Sequence, residues 1–219
     1  HRLGEYYGYN YGNEFNGFDS VKDYPWYYSF LIYNAVCAVD AENSTHINAD
    51  KVGRKEITDR IVEHRDDLLE LLKDTTDYPL IEILSKETNP NEAGNTNPAR
   101  KNFSFATKFC HYACFYIFEN KDTEYRDSYS IYDYIVSNAL KTFYNYKENQ
   151  SQKNGFEDKK FFVEKYRHYQ NHIDDLRTKA AKEYKESNPV SRNGFDHLLW
   201  YYYKGKGKNN QKQDAGSTD

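Results

Sequence analysis

Cysteine is scarce in this chain of 219 residues: Cys37, Cys110 and Cys114 are the full set. An odd number without CxxC spacing argues against a disulfide framework or a zinc site. The expectation for all three is that of small buried apolar residues. Methionine is absent altogether. No stretch approaches the roughly 18 consecutive apolar residues of a membrane span. Residues 1–20 lack the basic and apolar regions of a signal peptide. The expected compartment is therefore the cytoplasm, with no membrane partner. A Gly-rich phosphate loop and a GxSxG elbow are both missing, so nucleotide hydrolysis and hydrolase-type acyl transfer have no support. His168 and His172 lie four apart, but no acidic residue stands between them, and no metal or cofactor is assigned.

Charge excludes a further class. The 30 Lys and Arg against 34 Asp and Glu leave a net of −4, which does not suit indiscriminate nucleic-acid binding. The distribution is uneven, however: residues 1–100 carry 10 basic against 18 acidic side chains, and residues 151–219 carry 14 against 10. A basic face from the C-terminal part stays available.

Aromatic residues are plentiful, at 17% with 23 Tyr and 13 Phe, and a chain so rich in them folds. Burying so much tyrosine requires many hydroxyls to find partners at the edge of the core. Residues 1–20 read as an irregular aromatic segment. Apolar periodicity then predicts helices over about 24–39, 51–74, 78–86, 103–119, 131–147 and 157–186, with a short last helix stopped by Gly205. Ile57, Ile61, His64, Leu68 and Leu72 form the stripe of the second. Residues 86–102 hold two Asn-Pro steps and read as a long loop. The fold class is all-α: an orthogonal multi-helix domain over 1–204 around a buried central helix at about 103–119. Residues 205–219 read as a mobile, basic, low-complexity tail.

Two constellations carry the chemistry. Asp133 sits in the apolar run YSIYDYIV, where a bare charge costs several kcal/mol unless it is paired or hydrogen-bonded. Ser130 and Asp133 match a capping box, with Asp133 at the third helical position. The alternative is an acid held at a helix N-terminus facing a cleft, and the two are compatible. On helix 103–119, Ser104, Lys108, His111 and Phe115 make a stripe. It is either a solvated edge or, facing Asp133, part of a common site with a desolvated lysine.

The segments SFATKFCHYA and IYDYIV together resemble the helix-hairpin-helix DNA glycosylases, in particular their 8-oxoguanine glycosylase-like branch. There a central helix is followed by a hydrophobic-Asp-x-x-Val helix start that carries the catalytic acid. Ile131 to Val136 match that start, and Phe103 to Ala113 match the central helix more loosely. The C-terminal FDHLLWYYYKGK is similar to the short Trp-containing closing helix of proteins with this pattern. The glycine-rich hairpin of the family is absent, and NTNPARKN stands in its place. Ser104 stands where bifunctional members have their lysine, and Lys108 comes one turn later. The resemblance thus implies monofunctional hydrolysis of a modified base in double-stranded DNA, with Asp133 as the key acid. In it, Tyr132 or Tyr134 would stack on the flipped base, and Arg100, Lys101, Lys204 and Lys206 would hold phosphates. The competing expectation is a non-catalytic helical module that binds another protein, of the kind found in bacterial defence or mobile-element systems.

Overall fold

The structure, a computed structural model, describes residues 2–7, 25–43, 47, 52–86, 102–144 and 159–214. Among these residues all regular structure is helical, in nine α-helices and one 3-10 turn, with no strand. No described helix is long and apolar enough to cross a membrane. The chain divides into two compact units, His1–Tyr129 and Ser130–Asp219.

The first unit contains α1 (Arg2–Tyr6), α2 (Pro25–Asn43), α3 (Val52–Glu63), α4 (Leu68–Lys73), α5 (Pro79–Ser85) and α6 (Phe103–Ile117). A short helix thus stands inside the segment the sequence predicts as irregular. Helix α2 starts on Pro25, whose missing N–H costs nothing at a first turn. Helix α6 buries ten of its fifteen residues, on which α1, α2, α4 and α5 pack. It is the central helix of this unit. Ala113 on it is only half-buried, although it shares a side with the buried Ala106, Phe109 and Ile117. Asn102 fixes its start: its N–H donates to Ser85 O, and its amide Nδ2 donates to Lys86 O at 3.1 Å.

The sequence predicts one helix over 51–74, and the structure breaks it at 64–67. The apolar stripe survives the break, since Ile57, Ile61, Leu68 and Leu72 are all fully buried. The bend has a tertiary cause. Tyr7 donates its hydroxyl proton to Arg65 O at 2.7 Å, taking a carbonyl that a continuous helix would use. The amides of His64, Arg65 and Asp67 fall back on carbonyls three residues earlier. The Arg65 guanidinium then lies over the rings of Tyr6 and Tyr28, 5.4 and 5.5 Å from their centroids.

The second unit contains α7 (Tyr134–Tyr144), α8 (Lys159–Tyr184) and α9 (Arg192–Asp214). Helix α9 packs on α7 and α8. Lys185 ends α8 in the left-handed conformation (φ 57°), with Glu186 N–H returning to Ala181 O at 2.9 Å, the Schellman pattern. Asp174 then ties the connection: its carboxylate takes Arg177 at 2.7 Å and Arg192 at 2.6 Å. Ser191 caps α9 by accepting the Gly194 N–H at 3.0 Å. A Cβ at Gly194 would stand 2.9 Å from Val190 Cγ2, so a larger residue there requires the exposed Val190 side chain to shift.

The sequence predicts that α9 stops at Gly205, whereas it runs on to Asp214. Two helical glycines cost about 1 kcal/mol each, yet a helix already anchored by buried Phe195 and Leu199 propagates at one hydrogen bond per residue.

Candidate functional site

Asp133 is where chemistry and structure meet in the second unit. Residues 128–133 are not helical, and α7 begins at Tyr134. Asp133 is thus the N-cap itself, not the third residue of a helix capped by Ser130. Its Oδ1 accepts the Val136 N–H at 2.9 Å, and its carbonyl accepts the Ser137 N–H at 2.9 Å. The capping box fails because another group claims the Ser130 backbone. Tyr166 Oη accepts the Ser130 N–H at 3.0 Å and donates to Ser130 O at 2.8 Å. Gln170 Nε2 donates to the same hydroxyl at 3.1 Å. The Ser130 side-chain hydroxyl is left buried without a hydrogen bond.

Next along this non-helical segment, Tyr169 donates to Ile131 O. Tyr166 and Tyr169 are three apart on α8, so one helix face presents both hydroxyls to the non-helical segment. Burial raises the Tyr169 pKa well above its ordinary value, and the negative charges of Asp196 and Asp133 push it the same way. Tyr169 therefore stays protonated and remains a donor. Asp196 is itself buried, on α9. The result is a part-buried carboxylate, Asp133, held at the positive end of α7.

The other predicted residues are placed as follows. Tyr132 is buried, with its ring edge-on to Tyr169 at 4.8 Å, whereas Tyr134 is 78% exposed. Of the two, Tyr134 has the exposure that a stacking ring needs. Ser104 and Lys108 belong to α6 in the first unit, Ser104 half-buried and Lys108 buried. His111 is buried too, and its Nδ1–H donates to Tyr129 O at 2.7 Å. A solvated edge does not describe these two positions. Phe115 stacks on His111 at 6.4 Å, and Arg126 lies 4.1 Å over its ring. Lys204 is exposed, with its Nζ 4.1 Å over the Trp200 ring. Lys206 falls within α9, while Arg100 and Lys101 lie outside the described residues.

Cys110 and Cys114 are fully buried, and burial raises both thiols well above their ordinary pKa, so neither is a nucleophile. Cys37 departs from the sequence reading in being only half-buried. Among the described residues no group of three or more His, Cys, Asp or Glu side chains could hold a metal ion. His172 is drawn below its ordinary pKa, first by burial and then by His168, which disfavours a charged pair.

Sequence reasoning missed Tyr166 and Tyr169 as the residues that hold the segment leading into Asp133. Helical spacing puts both tyrosines on one face of α8 but cannot show what their hydroxyls meet, because those partners are main-chain atoms some 36 to 38 residues away in sequence. No protein-family model, no curated protein and no solved structure matches this chain.

Proposed function

We propose that this chain is a DNA glycosylase-like protein that removes a modified base by monofunctional hydrolysis, with Asp133 as the key acid. One observation carries the reading: Asp133 is half-exposed, and its carboxylate is oriented by the Val136 N–H at the start of α7. A carboxylate so held favours developing positive charge in an oxocarbenium-like sugar, or takes a proton from attacking water. Tyr134, exposed one residue later, supplies a ring for the extruded base. Lys204, exposed on α9, supplies a phosphate contact. Ser104 in the position of the family's lysine favours hydrolysis over lyase chemistry.

The test uses duplexes carrying oxidised, alkylated or deaminated bases, incubated with the wild type and with Asp133→Asn. Strand breaks that require alkali, made by the wild type and lost in the variant, support the proposal. Breaks without alkali point instead to Lys108 as a nucleophile. No base release on any duplex, with no salt-sensitive binding, overturns it. That outcome favours the second reading, a non-catalytic module docking a protein partner. The large exposed rings Trp26 and Phe30, four apart on α2, are the feature that favours it.

A further inference from the structure

Helix α9 has two unlike sides. Phe195, Asp196 and Leu199 are buried, and the opposite arc begins with His197, Leu198, Trp200, Tyr201 and Tyr202, all exposed. Trp200 is 44% exposed, Tyr201 71% and Tyr202 58%. At about 100° per residue, positions 204, 208 and 212 fall between and beside 200 and 201 on that arc. All three are lysines. With Lys206, they put four positive charges in residues 204–212 without one acidic residue. Lys204 already stands over the indole of Trp200 at 4.1 Å.

Three properties choose the occupant. Exposed rings offer flat faces, and a ligand with unpaired flat faces of its own fits them. Lysines interleaved with those rings require a negative charge at each step of the ligand, not at one end of it. And the lysines lie within the aromatic arc rather than on an opposite face, which a bilayer-seeking helix avoids because insertion would drag them into hydrocarbon. Leu198 is the sole aliphatic residue among the described exposed positions of the arc.

The geometry points to this arc of α9 as a binding face for single-stranded nucleic acid, with Trp200 and Tyr201 stacking on bases and Lys204, Lys208 and Lys212 on phosphates. Paired bases in a duplex hide the faces that the rings would meet; an unpaired strand exposes them. The inference rests on the glycosylase-like reading only in taking nucleic acid as the ligand. It needs neither a lesion nor Asp133.

The experiment measures anisotropy of a labelled, undamaged 20-nucleotide thymidine strand with the full chain over a series of salt concentrations. Trp200→Ala with Tyr201→Ala should weaken binding about ten-fold or more. Changing Lys204, Lys208 and Lys212 to Gln should lower the slope of log affinity against log salt by about 2. The second variant leaves the buried Phe195, Asp196 and Leu199 of α9 unchanged, so it keeps the test open if the aromatic one fails to fold. Asp133→Asn should bind the strand as the wild type does, so that failure of the glycosylase reading leaves this result standing. No binding of the strand overturns the inference, as does binding that neither set of substitutions weakens. Attachment to phosphatidylserine vesicles in preference to the strand, lost in the same variants, overturns it in favour of a membrane surface.

Discussion

The two units use the same device for different ends. In the first, the Tyr7 hydroxyl donates to Arg65 O and bends a helix into two. In the second, the hydroxyls of Tyr166 and Tyr169 donate to Ser130 O and Ile131 O and keep that stretch from coiling at all. A helix is broken in one case, and its start is set in the other. The difference lies in what else is available: Arg65 keeps its side chain over two rings, whereas Ser130 has both its N–H and its C=O taken by one hydroxyl. Charge separates the units further. His1–Tyr129 holds 14 basic against 22 acidic residues, a net of −8, and Ser130–Asp219 holds 16 against 12, a net of +4. The net of −4 for the chain hides a polarity that concentrates basic residues in the unit carrying Asp133.

The comparison breaks first at Tyr166. Tyr166→Phe keeps the ring but strands two buried main-chain groups at Ser130, so it should destabilise by roughly 2–4 kcal/mol. Urea midpoints give the value. A loss under about 1 kcal/mol would mean that water replaces the hydroxyl and that the clamp does not set the start of α7. Tyr7→Phe should cost less, about 1 kcal/mol, because the Arg65 carbonyl is only part-buried and water can reach it. Equal losses at the two sites would erase the distinction between bending and setting a helix.

High pH sharpens the same contrast. Burial, opposed in part by the hydrogen bond from Tyr28, pushes the Tyr7 pKa up to about 12 from 10.0. The folded state therefore holds this proton where the unfolded chain releases it. The stabilisation is complete below pH 10.0 and is lost as the pH climbs toward about 12. Tyr28 behaves in the same direction, burial being the largest cause. Stability plotted against pH should fall less steeply across this window in Tyr7→Phe than in the wild type. An unchanged slope would take Tyr7 out of the linkage.

Helices whose apolar residues face a core were legible in the sequence. Helix α6 starts where expected and ends two residues early, and α5 and α8 fall within two residues of their predicted ends. Two of the exceptions share one cause. The break at 64–67 and the late start of α7 depend on tyrosine hydroxyls arriving from far along the chain, and periodicity reports only near neighbours. Lys108 and His111 show a different limit. Both lie on a polar stripe, and polarity alone suggested solvent, yet a histidine with a main-chain acceptor at 2.7 Å is stable inside. For Asp133 the sequence offered a capping residue at the wrong position in the cap. It was visible because a carboxylate in an aromatic run demands an explanation; its position as N-cap was not, because the competing claim on Ser130 comes from α8.

The smallest expected change in stability is at Asp133 itself, and it separates the site from the clamp that positions it. Asp133→Asn keeps an oxygen for the Val136 N–H and removes only the charge, so the fold should lose well under about 1 kcal/mol. Asp133→Ala removes the acceptor as well and should lose about 1 kcal/mol. If the clamp made by Tyr166 and Tyr169 sets the helix start, both variants should keep α7 in place, and their midpoints should differ by the worth of one cap. A loss in Asp133→Asn as large as in Asp133→Ala would instead mean that the charge holds the helix start. Loss of base release in Asp133→Asn would then no longer isolate chemistry from structure. Near wild-type stability in Asp133→Asn, measured beside its effect on base release, keeps the two apart and makes the charge of Asp133 the quantity under test.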